Sequence, residues 1–232
     1  MKEGENKKTN LEQNGKTYEI EYIGEKLDKK LKSNKVIILG LTGVGKSTIS
    51  FRVIKNKFVE CSPTISIDIG NYQIKVNKKL IQIQLWDACG NDDFARYTPN
   101  LFNSTMLVIY VYSIIDRQSF EDLEKWYNIV RERAAGCIQY LIGNKVDQEE
   151  KRTVKKEEGE TFKNQYNLNY FLEASAVNGF NIIDLINRMA IDIYDKISGK
   201  ASIKRNFTLE KEDFGEEENE RKRKRKRKKN YC

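Results

Sequence analysis

The chain has 232 residues, 39% hydrophobic, 33% charged and 10% aromatic, with 14 glycines and two prolines. That is one domain of ordinary size with residues to spare, apolar enough to build a core, and collagen-like and proline-rich architectures are excluded. The net charge of +8 is local: Arg221 to Lys229 is a run of nine Lys and Arg, and taking nine from +8 leaves −1, so the rest of the chain is near neutral and no nucleic-acid-binding face is expected there.

Residues 1–33 open with Met1-Lys2-Glu3-Gly4-Glu5, which contains no apolar signal region, so secretion is not expected; Lys2 stands where N-myristoylation needs glycine. The segment is polar apart from Tyr18 to Ile23. Its composition favours a mostly flexible extension over a small flanking element. The apolar run Val36 to Leu39 then predicts a buried strand ending at Gly40, and helical spacing follows from Ser47 to Lys55. Ile65 to Val76 and Leu80 to Trp86 alternate with period two around Asn77-Lys78-Lys79, which predicts a hairpin. Met106 to Tyr112 is a further strand. Ser119 to Arg133 is a helix with Phe120, Leu123, Trp126, Tyr127 and Val130 on one stripe. Ile138 to Ile142 and Tyr170 to Leu172 read as strands, Val154 to Tyr166 and Asn181 to Ile197 as helices. Strands separated by crossover helices imply an α/β fold, a mostly parallel sheet with helices on both faces and ligands beyond the C-terminal strand ends. No stretch approaches the roughly 18 apolar residues of a membrane-spanning helix. Residues 199–232, with an acidic stretch before the basic run, are expected to be a flexible tail.

Four cysteines (Cys61, Cys89, Cys137, Cys232) have no metal-ligand spacing, and the chain has no histidine. Cys/His zinc sites and Ser–His or Cys–His nucleophile pairs are therefore excluded, and reduced thiols in a cytosolic setting are expected.

The chemistry begins at Gly40-Leu41-Thr42-Gly43-Val44-Gly45-Lys46-Ser47, which fits G-x-x-x-x-G-K-[ST] between a predicted strand and a predicted helix. Glycines there let backbone N–H groups from Thr42 to Thr48 turn toward phosphate oxygens, and the helix N-terminus adds partial positive charge. Lys46 would reach the β- and γ-phosphates and the Ser47 hydroxyl would ligate Mg²⁺. Asn144-Lys145-Val146-Asp147 follows another strand; the Asp147 carboxylate can accept two hydrogen bonds from guanine N1–H and the 2-amino group, a donor pair that adenine lacks. Asp87, at a third strand end, can hold Mg²⁺ beside Ser47; Thr64 could complete the metal shell, and Gly90 would let a backbone N–H approach the γ-phosphate.

With these segments in order, the chain resembles the Ras superfamily of small GTPases over residues 34–198, and is most similar to the Rab branch. Carrying the likeness to Rab are Asn77 to Asp87, Val108 to Tyr112 with Asp116 to Phe120, Gly143 to Asp147, and Phe171-Leu172-Glu173-Ala174-Ser175-Ala176. The resemblance implies a P-loop NTPase with a six-stranded sheet and one antiparallel edge strand. It also implies that Phe58 packs on the guanine, that Ser175, Ala176 and Val177 lie beside it, and that Thr64 and Gly90 belong to the two switches. The implied cofactors are GTP or GDP with Mg²⁺, and the implied partners are an exchange factor, a GTPase-activating protein and effectors that read the switches.

The chain departs from the family at several places. Asn91 stands where many members have a glutamine that orients the attacking water, and it is one methylene shorter. Ala88-Cys89 replaces the usual Thr-Ala, Ser66 and Ile69 stand near the Rab-typical Gly and Phe, and Val177 replaces a lysine that usually packs over the base. The segment from Phe58 to Thr64 is one residue shorter than in Ras-like members and lacks the aromatic residue before the threonine. Nothing follows Cys232, so a C-a-a-X box is excluded, whereas geranylgeranylation of a terminal cysteine next to nine cations would anchor the protein to the cytosolic face of an anionic membrane. The expected function is a slowly hydrolysing Rab-like switch in membrane traffic. The rival expectations are a GTP-loaded scaffold and a nuclear GTPase that uses its basic tail.

Overall fold

The computed structural model describes residues 8–199 apart from 63, 65 and 91–98. Eight strands form one sheet: β1 (Lys8–Gln13), β2 (Lys16–Glu25), β3 (Ser33–Leu39), β4 (Ile67–Val76), β5 (Lys79–Ala88), β6 (Thr105–Ser113), β7 (Ile138–Asn144) and β8 (Tyr170–Ala174), in the order β1-β2-β4-β5-β3-β6-β7-β8. β5, β3, β6, β7 and β8 run parallel; β1, β2 and β4 add antiparallel neighbours at one side. The helices are α1 (Lys46–Lys55), α2 (Arg117–Glu121), α3 (Leu123–Arg133), α4 (Lys156–Gln165) and α5 (Ile182–Ile197).

The apolar runs read as buried strands are apolar throughout because both sheet faces are covered. In β3, Val36 and Ile38 face one core with α1 and α5, while Ile37 and Leu39 face the other with α3 and α4. β6 divides the same way, Leu107, Ile109 and Val111 against Val108, Tyr110 and Tyr112. The parallel pairing sets Ile38 beside Asp87, Ser113 beside Asn144 and Asn144 beside Ala174, so the C-terminal strand ends share one rim. The helix expected from Ser119 to Arg133 instead starts at Arg117, because Asp116 caps it by accepting from Ser119 N–H at 3.4 Å, and it is interrupted at Asp122.

Two expectations are corrected. The sheet has eight strands rather than six, and residues 8–25 are not a flexible extension but the hairpin β1–β2. Asn14 and Gly15 turn it with φ of 52° and 70°, the left-handed pair that a two-residue hairpin turn requires. Average polarity hid the alternation of Tyr18, Ile20 and Tyr22, which point from β2 toward the α1–α5 core; Tyr18 and Ile20 are buried there. β2 pairs along β4, which would otherwise be the sheet edge. Three side chains fasten the hairpin to α5: Tyr18 donates to Asp195 at 2.8 Å, Gln13 to Asp192 at 3.2 Å, and Tyr22 to Asn187. Burial and then the Asp195 carboxylate push the Tyr18 hydroxyl up to about 12, so it stays a donor across the working pH range.

Replacing the fully buried Ile20 by alanine therefore lowers unfolding stability by about 2–5 kcal/mol in urea titration. A change within about 0.5 kcal/mol, the usual effect of a surface substitution, would mean that the hairpin is not part of the cooperative core.

Candidate functional site

The loop between β3 and α1 turns through left-handed glycines, Gly43 at φ 83° and Gly45 at φ 97°. A Cβ on Gly45 would sit 2.3 Å from the Asn144 side-chain nitrogen, so the close approach of the β7 end requires glycine there. Asn144 Nδ2 donates to Val44 O at 2.8 Å, and Lys145 Nζ donates to Gly43 O at 2.7 Å. Lys46 is buried, with its ammonium donating to Leu41 O at 3.0 Å. Burial pulls it below the ordinary lysine range, and the Asp87 carboxylate acts in the opposite direction. One cavity is lined by Thr42, Gly43, Gly45 to Thr48, Cys61, Ser62, Thr64, Gly90 and Lys145. Four separate segments thus meet where a polyphosphate would lie.

At its floor, Ser47 Oγ and Thr64 Oγ1 are 2.8 Å apart, and Thr64 Oγ1 donates to Asp87 Oδ2 at 3.4 Å. Asp87 is 2% exposed, and its Oδ1 has no hydrogen-bond partner among the described residues. Burial raises its pKa; the Ser47 hydroxyl and the Lys46 charge pull it back. A buried carboxylate oxygen without a partner beside two hydroxyls is a hard-oxygen donor set that fits Mg²⁺, and a dication there would supply the missing counter-charge. Gly90 closes the site from the β5 end: a Cβ would lie 2.3 Å from Thr42 N, so any other residue would push the two segments apart.

The β7 and β8 ends build the neighbouring region. Lys145 takes φ 72°, the left-handed turn that sends the chain on to Asp147. The Ser175 hydroxyl donates to Asp147 Oδ1 at 2.5 Å and accepts from Asn178 N–H at 3.2 Å, so the carboxylate is oriented while Asp147 stays exposed. Ala176 N–H donates to Asn144 Oδ1 at 3.2 Å. Two hydrogen-bonded pairs, Asn144 with Ala176 and Asp147 with Ser175, thus join the β7 and β8 ends, while Lys145 between them bonds the glycine loop. Val177 is next in this loop, 45% exposed, and Phe58, beyond the end of α1, is 47% exposed.

The sequence model described as Ras family matches residues 35–195. The chain belongs to the Ras family of small GTPases. It is similar to Ras-related protein Rab-13 of Mesocricetus auratus, 34% identical over 170 residues that cover 72% of this chain and 83% of that one. Ras-related protein Rab-12 of Mus musculus is 33% identical over 165 residues, 70% and 68% of the two chains. Ras-related protein Rab-11C of Dictyostelium discoideum is 34% identical over 168 residues, 72% and 75%. This small GTPase is therefore Rab-like; it binds GTP and GDP with Mg²⁺ and hydrolyses GTP.

In this GTPase, Thr42, Gly43, Gly45 to Thr48, Thr64 and Gly90 line one cavity, whereas buried Val44 is not among the lining residues and its carbonyl accepts from Asn144 instead. Asn91 and Cys232 lie outside the described residues. Cys61 and Ser62 were not singled out as lining residues; their place just before Thr64 was the available signal. Arg52, which reaches from α1 to the 175–177 loop, gave no local signal because its partners are far along the chain.

Asp147→Asn tests the base reading. The amide offers one donor and one acceptor, which mismatches guanine's two donors and matches the N1–H and 2-carbonyl of xanthine. In competition binding, GTP affinity is expected to fall at least about 100-fold while xanthosine triphosphate gains, in line with the cost of unpaired polar groups. An unchanged preference for GTP would remove Asp147 from the base site.

Proposed function

We propose that this GTPase is a Rab-type switch of intracellular membrane traffic whose intrinsic hydrolysis is slow. The observation that carries the switch is the hydrogen-bonded line Ser47–Thr64–Asp87, in which a residue from the segment after α1 joins the phosphate loop and the β5 end around one point. A γ-phosphate gives Thr64 and the Gly90 N–H something to hold, and its loss releases them, so effectors read the two segments only in the triphosphate state. Lys46 and the inward loop N–H groups hold the phosphate oxygens and stabilise charge developing on them. Ser47, Thr64 and Asp87 would hold Mg²⁺, directly or through water, and the cation would supply positive charge to offset that of the polyphosphate. Phe58 and Val177 would flank the guanine, with Asp147 reading its edge. An exchange factor, a GTPase-activating protein and effectors are the corresponding partners.

Slow hydrolysis rests on Asn91. Its amide reaches about 1 Å less far than glutamine's, and a displacement of that size costs on the order of 100-fold in rate. In single-turnover assays Asn91→Gln is expected to hydrolyse GTP faster by about that factor. Equal rates would overturn the reading, and protein purified mainly with GDP would already count against a stalled enzyme. Mainly GTP would favour the second reading, a GTP-loaded scaffold, which the same residue supports.

Membrane recruitment rests on the nine cations of 221–229 and on Cys232. One prenyl chain plus a polybasic run meets the two-signal requirement, each cation adding about 1 kcal/mol near an anionic leaflet. Mass spectrometry of the C-terminal peptide from native cells is expected to show a prenylated Cys232 and fractionation a membrane pellet that depends on it. An unmodified cysteine with nuclear accumulation would overturn this in favour of a nuclear role for the tail.

A further inference from the structure

Arg52 lies on α1, half-buried, on the side of the helix that meets the 175–179 loop. Its Nε donates to Ala176 O at 3.0 Å, one terminal nitrogen donates to Val177 O, and the other to Asn56 O at 3.3 Å. Gly179, with φ 85°, lies against the guanidinium, so close that a Cβ on it would be 3.7 Å from Arg52 Cζ. Asn56 is the left-handed cap of α1, its N–H donating back to Arg52 O at 3.0 Å, and Phe58 follows two residues later. One planar fork therefore grips the loop carrying Ala176 and Val177 and, at the same time, the turn that leads to Phe58.

The two carbonyls on the loop side have no other donor among the described residues. A guanidinium offers five N–H groups in a fixed plane, so binding adjacent carbonyls sets the position of the loop as well as its attachment. This matters more in this chain because position 177 is valine, a short branched side chain with no ammonium and no long stem to lay over a base. Base retention then falls on where the backbone of 175–177 is held.

We infer that Arg52 is a positioning residue for the guanine: it holds the 175–177 loop and the turn before Phe58 at a fixed separation, and so sets how long a guanine nucleotide stays bound. The inference rests on the reading of Asn144–Asp147 and 175–177 as the base site. It assigns Arg52 an effect on the base end of the nucleotide and none on the phosphate end.

The test uses the full chain with Mg²⁺ and two probes, GDP and ribose 5′-diphosphate, which lacks the base. Affinities are read by competition with a fluorescent GDP, and GDP release is timed. Arg52→Ala is expected to speed GDP release and weaken GDP about tenfold or more, the scale of losing charge-assisted hydrogen bonds, while changing ribose 5′-diphosphate less than about twofold. Arg52→Lys, a point donor that can serve one carbonyl at a time, is expected to fall between Ala and the wild type with the same base dependence, and it carries the test if the Ala variant does not fold. Equal weakening of both probes would overturn the inference, because it would mean that Arg52 only supports α1 and the phosphate loop. No change with either probe would overturn it as well. A wild-type chain that binds ADP as well as GDP would overturn the base-site reading itself, a failure visible before any substitution is made.

Discussion

The side-chain amide of Asn144 is the junction on which the rest of the site depends. It is 2% exposed, donates to Val44 O of the phosphate loop at 2.8 Å and accepts from Ala176 N–H at 3.2 Å, while its backbone carbonyl accepts from Ile114 N–H. Three loops from three strand ends are therefore cross-linked through one buried residue. A buried amide left half-satisfied would cost about 1–3 kcal/mol, so each loop's position is enforced by the other two. Gly45 is the steric partner of this arrangement, since only the missing Cβ lets the amide reach the loop.

The polar floor of the phosphate cavity is held under opposite tensions. Lys46 and Asp87 are both buried, and burial alone disfavours the charged form of each. The fold keeps them near one another and supplies two hydroxyls, an arrangement that is under-satisfied by protein alone and complete with a dication and polyphosphate. Binding and folding are thereby linked: whatever fills this cavity stabilises the native state by mass action. Thr64 shares in that floor through its contacts with Ser47 and Asp87.

The sheet face that α1 and α5 share is fixed by a different device. Asp192 on α5 accepts from Gln13 of β1, from Tyr140 of β7 and from Arg188 one turn back, and Asp195 accepts from Tyr18. The helix α5 thus fastens the β1–β2 hairpin to β7 across the sheet, in a core continuous with Ile20, Ile74 and Ile193. With β2 laid along β4, the strand that follows Thr64 is paired on both sides. That pairing braces the β4 end of the segment that carries Thr64.

Much of this molecule was legible in its sequence wherever the cause is local. The glycine loop with Lys46 and Ser47 needs a strand before it and a helix after it, and β3 and α1 supply both. The expectation that Asp147 reads guanine likewise comes from one residue's own lone pairs at one strand end. The N-terminal hairpin was also written locally, as Asn14-Gly15 between alternating segments, but composition averaged over the whole extension concealed it. What tertiary structure alone decided are the pairings between residues far apart in sequence. These are Arg52 with the carbonyls of 176 and 177, Tyr18 with Asp195, and the choice of β4 as the strand that β2 covers. A local pattern specifies a residue's conformation and which face it presents. Which distant group it meets depends on how the packed layers bring strand ends and helices together, and no short window of sequence contains that information.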